Sequence, residues 1–169
     1  LQLCYDRCSP YVYAIIKNYI DDPHSRKEVL QDSFISIFNS LHTYDDSKGL
    51  LKSWLSTITY RTCIKHLKAQ KKLSIIVAYD QDRHEVIDDS LTNAISACSK
   101  AEVEAVLSKM PTGYRVVFIM NILDGLTHNE VATELGISAE ASRSQLSRGL
   151  RWLRKNLSSQ SKDLAYGKY

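Results

Sequence analysis

Apolar residues recur along this chain at intervals of three and four, in stretches separated by turn-rich breaks, and no stretch alternates apolar with polar as a half-buried strand does. The pattern predicts an all-α fold. Ser9 as N-cap with Pro10 at the first helical position opens a helix whose core stripe is Val12, Ile15, Ile16 and Tyr19, and Asp21-Asp22-Pro23 closes it. Ser25 with Glu28 forms a capping box for a second helix, which turns Leu30, Phe34, Ile37 and Leu41 inward and Glu28, Gln31, Asp32, Ser36 and Asn39 outward. After the loop Tyr44 to Gly49, YDDSKG, a third stripe runs through Leu51, Trp54, Leu55, Ile58 and Thr62. Further on, Leu107, Met110, Val117, Phe118, Met120 and Leu123 belong to two helices around the break Pro111-Thr112-Gly113.

The stretch Leu126 to Leu157 specifies both a shape and a ligand. Thr127 and Glu130 make a capping box, Val131, Ala132 and Leu135 lie on one face, and Gly136 supplies the left-handed residue that ends the helix. Ile137 fills the angle and Ser138 caps the next helix, so the segment reads as a helix-turn-helix. That next helix has a leucine stripe, Leu146, Leu150, Leu153 and Leu157. Its opposite side carries Ser144, Arg148, Arg151 and Lys155, with Arg143 and Gln145 flanking. Glu140, Arg143, Ser144, Gln145, Ser147 and Arg148 supply the short polar and forked side chains that reach base edges, with Arg151 further along for phosphate. No acid occurs between Ala141 and Lys162, whereas an ordinary solvated face mixes signs.

A second basic ridge lies earlier. Arg61, Lys65, Lys68 and Lys72 fall on one side of the third helix, with no acid between Leu51 and Lys72. A polyanion would relieve the repulsion along it. Trp54 lies in the apolar stripe and reads as core, while Tyr60 lies off it and is open to base stacking. Between the two basic helices the composition turns acidic, with Asp80, Asp82, Glu85, Asp88 and Asp89 against a single Arg83. The expected layout is therefore two small helical domains, 1–72 and 96–169, joined by a flexible acidic linker, 73–95. Fully extended, that tether reaches roughly 75 Å.

The net charge of +3 over 169 residues is mild, so a nucleic-acid surface has to come from clustering. No apolar run approaches a membrane span and the start has no signal-peptide pattern, which points to a soluble, cytoplasmic protein without membrane insertion. Leu1 in place of Met implies a first helix clipped at its start. Cys4, Cys8, Cys63 and Cys98 form no CxxC pair, and the histidines are scattered, so neither metal nor other cofactor is expected. No Gly-rich phosphate loop and no nucleophile–base pair suggest catalysis.

This ordered set resembles the bacterial sigma factors of the sigma-70 family, in particular the extracytoplasmic-function group. The resemblance rests on Glu28-Val29-Leu30-Gln31-Asp32-Ser33-Phe34, on Trp54-Leu55 with Ile58 and Lys65-His66-Leu67-Lys68, on Leu107-Ser108-Lys109-Met110-Pro111, on Tyr114-Arg115-Val116-Val117-Phe118, on Gly125-Leu126-Thr127 and on Leu135-Gly136-Ile137-Ser138. It implies that Glu28, Gln31, Asp32, Ser36 and Asn39 dock on core RNA polymerase. Tyr44, Lys52, Tyr60, Arg61, Lys65, Lys68 and Lys72 would recognise and melt the downstream promoter element. Glu140, Arg143, Ser144, Gln145, Ser147, Arg148 and Arg151 would read the upstream promoter element as duplex. The acidic linker would run through the polymerase as a nucleic-acid mimic, and an anti-sigma factor would hold the otherwise monomeric chain inactive. The chain departs from the family pattern at Thr59, Tyr60-Arg61, Ala141-Ser142 and Gln145, so the promoter sequence does not transfer from a relative. A homodimeric helix-turn-helix repressor or activator that never docks on polymerase is the alternative, and it requires a palindromic site. A response-regulator receiver domain would require strands between the helices, and none is visible.

Overall fold

The computed structural model describes the backbone of residues 2–70 and 100–166, and the side chains of residues 2–70 and 105–156. The segment 73–95 and Lys72 lie outside the described residues. The chain divides into two compact units, Leu1–Lys72 and Leu73–Tyr169, and among the described residues every regular element is helical.

The first unit is a three-helix cluster of α1 (Gln2–Tyr19), α2 (Pro23–Ser40) and α3 (Leu51–Ala69), each packed against the other two. α1 does not start at Pro10. It begins a full two turns earlier, with Pro10 inside it on the exposed side. The missing N–H there costs one helical bond. What holds the earlier turns helical is tertiary: the Tyr5 ring lies 4.5 Å from that of Phe34 on α2, itself 5.7 Å from Phe38. The cap of α2 also differs from expectation. Asp22, not Ser25, is the N-cap, its carboxylate accepting the Ser25 N–H at 2.7 Å, with Pro23 at the first helical position. A carboxylate facing the positive end of a helix outbids a hydroxyl, and Pro suits that first position.

Val29, Phe34 and Ile37 are buried beside Val12, Ile16, Tyr19 and Cys63, while Leu41 falls into a 3-10 turn, Leu41–Thr43, and is exposed. α3 buries Leu55, Tyr60, Ile64 and Leu67 and exposes Leu51. Its two buried threonines return their hydroxyls to the preceding turn, Thr59 to Leu55 O at 2.7 Å and Thr62 to Ile58 O at 2.9 Å. These polar groups therefore enter the core with a hydrogen bond already made.

The second unit is arranged around its last helix, α7 (Ala139–Tyr166), against which α4 (Lys100–Lys109), α5 (Thr112–Phe118) and α6 (His128–Leu135) pack. Its core joins Val106, Val116, Val117, Phe118, Met120, Val131, Leu146 and Leu153. Each such side chain contributes about 1.5–3 kcal/mol of burial. Arg115 is buried among them, 2 % exposed, and its Nη1 donates to the Leu107 and Ser108 carbonyls at 3.3 Å. A cation there satisfies carbonyls that the end of α4 leaves unbonded. Past Phe118 the chain widens into a π turn, Ile119–Leu123, in which Met120 is buried and Leu123 exposed. Asp124 N–H reaches back to Ile119 O at 2.9 Å, and Asn121 Nδ2 donates to Leu126 O at 2.8 Å.

Candidate nucleic-acid interface

The helix-turn-helix is built from local chemistry. Thr127 caps α6: its Oγ1 accepts the Glu130 N–H, and the Glu130 carboxylate accepts the Thr127 N–H at 2.8 Å. These bonds, from the Thr127 backbone first and its hydroxyl second, hold the Glu130 carboxyl below the ordinary range. Gly136 ends α6 at φ 73° and ψ 38°, a left-handed conformation costly for any residue with a Cβ. Ser138 Oγ then accepts the Ala141 N–H at 3.0 Å and starts α7.

α7 closes on the rest of the unit at Gly149, where an added Cβ would lie 3.4 Å from Tyr114 Cβ. Its inner side buries Ser142, Gln145, Leu146, Ser147, Leu150 and Leu153. Two residues expected at the DNA are thus corrected. Gln145 is 3 % exposed and Ser147 is also buried, because the packing of α5 and α6 covers more of α7 than its leucine stripe alone. The outer side presents Glu140, Arg143 and Arg151 as exposed, with Ser144 and Arg148 half-buried. Glu140 pairs with Arg143 at 3.5 Å, one helical turn apart on the surface.

On α3, Arg61, Lys65 and Lys68 are all exposed and fall on one ridge. Tyr60 does not join them. It is 6 % exposed and faces the core, so it offers no ring to an unpaired base. The aromatic pair near the surface is a different one: Tyr44, from the loop, lies 5.4 Å from Trp54, and both are half-buried. Trp54 is therefore less enclosed than an apolar stripe suggests. Lys52 sits 5.8 Å above the Tyr11 ring, whose hydroxyl lies 2.7 Å from Ser56 Oγ, tying the start of α3 to α1. The loop is shaped by Asp45, which accepts the Ser47 hydroxyl at 2.6 Å and N–H at 3.0 Å and pairs with Lys48.

The outer face of α2 brings Glu28, Gln31, Asp32 and Asn39 to the surface, with Ser36 half-buried and its hydroxyl donating to Asp32 O. One further exposed residue of this face was not singled out from the sequence. Ile35, three residues after Asp32 and four before Asn39, is 58 % exposed in the middle of this face. An apolar residue breaking a polar face is the available signal in the sequence. Among the described residues no group of three or more His, Cys, Asp or Glu is placed to hold a metal ion, and no helix is long and apolar enough to cross a membrane.

Comparison with known proteins assigns both units. The family model for sigma-70 region 2 matches residues 4–73, and that for sigma-70 region 4 matches residues 100–153. The extracytoplasmic-function RNA polymerase sigma factor SigX of Bacillus subtilis is 27 % identical over 161 residues, covering 92 % of this chain and 82 % of its own length. SigK of Mycolicibacterium vanbaalenii is 26 % identical over 159 residues, covering 90 % and 79 %. In fold, the chain is similar to the sigma factor RpoE of Bartonella quintana, solved in complex with the anti-sigma factor NepR, at a TM-score of 0.51 and 15 % identity over 93 % of this chain and 96 % of that one.

Proposed function

The chain belongs to the sigma-70 family of RNA polymerase sigma factors, in its extracytoplasmic-function group, and from that premise we propose how its surfaces divide the work. Sigma factors are regulatory proteins rather than enzymes, so this chain lends specificity to a polymerase that does the chemistry. In this reading α2 docks on core polymerase through Gln31, Asp32 and Ile35, with Glu28 and Asn39 at the edge. The α3 ridge, Arg61, Lys65 and Lys68, holds the downstream promoter element as it opens, with Tyr44 and Trp54 beside it. The outer side of α7, Arg143, Ser144, Arg148 and Arg151, reads the upstream element in duplex form. Phosphate contacts fix register and a few base contacts of about 1–3 kcal/mol each specify sequence.

The observation that carries this reading is the coexistence, on one chain, of two basic helix faces in separate compact units and a third, mixed polar face that carries Glu28, Gln31, Asp32 and the exposed Ile35. A lone duplex reader has no use for the second and third. We further propose control by an anti-sigma factor in the bacterial cytoplasm, supported by the likeness to a sigma factor solved with one bound.

Gel filtration with core polymerase stripped of its own sigma factor tests the proposal. The native chain should co-elute and Asp32→Arg should not, and the reconstituted enzyme should then start transcription at discrete promoters. A chain that never co-elutes, runs as a dimer and binds a palindromic duplex would replace this reading with that of a free-standing regulator.

A further inference from the structure

His128 is the first residue of α6, directly after the Thr127 cap. Its Nδ1 lies 2.9 Å from Ser142 Oγ, and Ser142 is fully buried in α7, so the imidazole is pinned across the angle between the two helices. The ring is half-buried, and the residue after Ser142 is the exposed Arg143. The acids nearby are committed elsewhere. Glu130, on the same helix, accepts from the Thr127 N–H and hydroxyl, and Glu140 of α7 pairs with Arg143. Burial first, and the Arg143 charge second, hold the imidazole below its ordinary value of about 6.5, with neither glutamate nor Asp124 of the preceding turn offsetting them.

This arrangement is costly for a cation in the free protein and well suited to one beside an anion. When protonated, the ring donates from both nitrogens. Nδ1–H has the Ser142 hydroxyl to accept it, which leaves Nε2–H for a ligand. The positive end of α6 and the Arg143 guanidinium favour the same sign of ligand. We propose that His128 is a phosphate-contacting residue of the duplex reader, donating from Nε2 to a DNA backbone phosphate beside Arg143, and that it takes up one proton from solvent when the duplex binds. This rests on the reading of α7 as the duplex-facing helix. A phosphate monoanion next to the ring favours the imidazolium and raises its pKa, so proton uptake falls in the window between the depressed value and the raised one. Affinity therefore rises as pH falls through that window. One proton corresponds to about tenfold per pH unit at most.

The test uses the full chain and a short fluorescent duplex of mixed sequence at low salt, where phosphate contacts dominate binding. Affinity is measured from pH 8 to pH 5.5 for the native chain and for His128→Gln, which keeps a partner for Ser142 but does not titrate. The native chain should gain several-fold in affinity across that range and His128→Gln should stay flat, with unchanged thermal unfolding at pH 8. NMR titration of the His128 ring, assigned by its loss in the variant, should show a pKa below the ordinary value without DNA and above it with DNA. A native profile as flat as the variant's, a slope that persists in His128→Gln, or a ring pKa that duplex leaves unmoved would each overturn the proposal. Absence of duplex binding at every pH would remove the reader itself, and this contact with it.

Discussion

Two glycines in the second unit should respond oppositely to the same substitution. Gly136 sits at φ 73°, where an L-residue is strained by about 1–2 kcal/mol, and the entropy that Ala removes from the unfolded chain offsets about 0.4–1 of that. Gly136→Ala should therefore destabilise the unit by about 1 kcal/mol, lowering its midpoint by about 4–8 °C if it unfolds as a domain of under a hundred residues. Gly149 is helical, and a Cβ there would lie 3.4 Å from Tyr114 Cβ and 3.5 Å from Tyr114 O, the near edge of ordinary contact. Ala recovers about 1 kcal/mol of helix propensity, so Gly149→Ala should be neutral to stabilising. Gly149→Val adds two methyl groups against Tyr114 and Met110 and should cost about 1–3 kcal/mol. The chain has two tryptophans, Trp54 in the first unit and Trp152 in α7. A Trp54→Phe background thus lets Trp152 fluorescence report the second unit alone during thermal unfolding. If Gly136→Ala matched or exceeded its parent in stability, the left-handed turn between α6 and α7 would be misassigned. If Gly149→Ala fell as far as Gly136→Ala, the closeness of α5 to α7 would be underestimated.

Arg148→Ala should weaken duplex binding and reduce the slope of log affinity against log salt by about one, measured by fluorescence anisotropy across a salt series; an unchanged slope would take Arg148 off the phosphate backbone. Ile35→Lys should abolish co-elution with core polymerase while leaving thermal stability intact, since the side chain is already in water; retained co-elution would place the docking surface elsewhere. Acid should unfold the chain through its capped helix starts. Asp22 and Glu130 are held below their ordinary values by the N–H groups they accept, so their stabilisation is complete above those ordinary values and is lost as pH falls through the lowered ones. His128, also depressed, adds a loss that begins as pH falls below about 6.5. Urea midpoints between pH 8 and pH 2.5 should show both limbs, with Glu130→Gln flattening the acid one; an identical acid limb in that variant would deny the capping carboxylate its role.

What was legible in the sequence was what is settled within a turn or two of chain. Thr127 with Glu130, Gly136 and Ser138 define α6, its stop and the start of α7 through bonds between near neighbours, and the two basic ridges follow from spacing alone. The errors arose where a distant element decides. Pro10 reads as a helix start until Tyr5 is known to rest on Phe34. Gln145, Ser147 and Tyr60 read as surface until α5 and α6 are laid on α7, and α1 and α2 on α3. Between Asp22 and Ser25 the contest was local but finely balanced, and the proline that follows Asp22 tipped it. The π turn at Ile119–Leu123 was not legible either, since nothing in the spacing of Val117, Phe118, Met120 and Leu123 marks a wider turn.

The burial pattern of α7 has an evolutionary consequence. In the proposed reading one helix serves as keystone and as reader, and the two duties fall largely on different residues: Ser142, Gln145, Leu146, Ser147, Leu150 and Leu153 are committed to the interior, while Glu140, Arg143 and Arg151 are exposed and Ser144 and Arg148 half-buried. Mutation can explore the second set without endangering the first. A lineage that duplicates this gene can therefore drift towards a new promoter by single steps, each one still folding, and the pace of that divergence is set by how few outward positions there are to change.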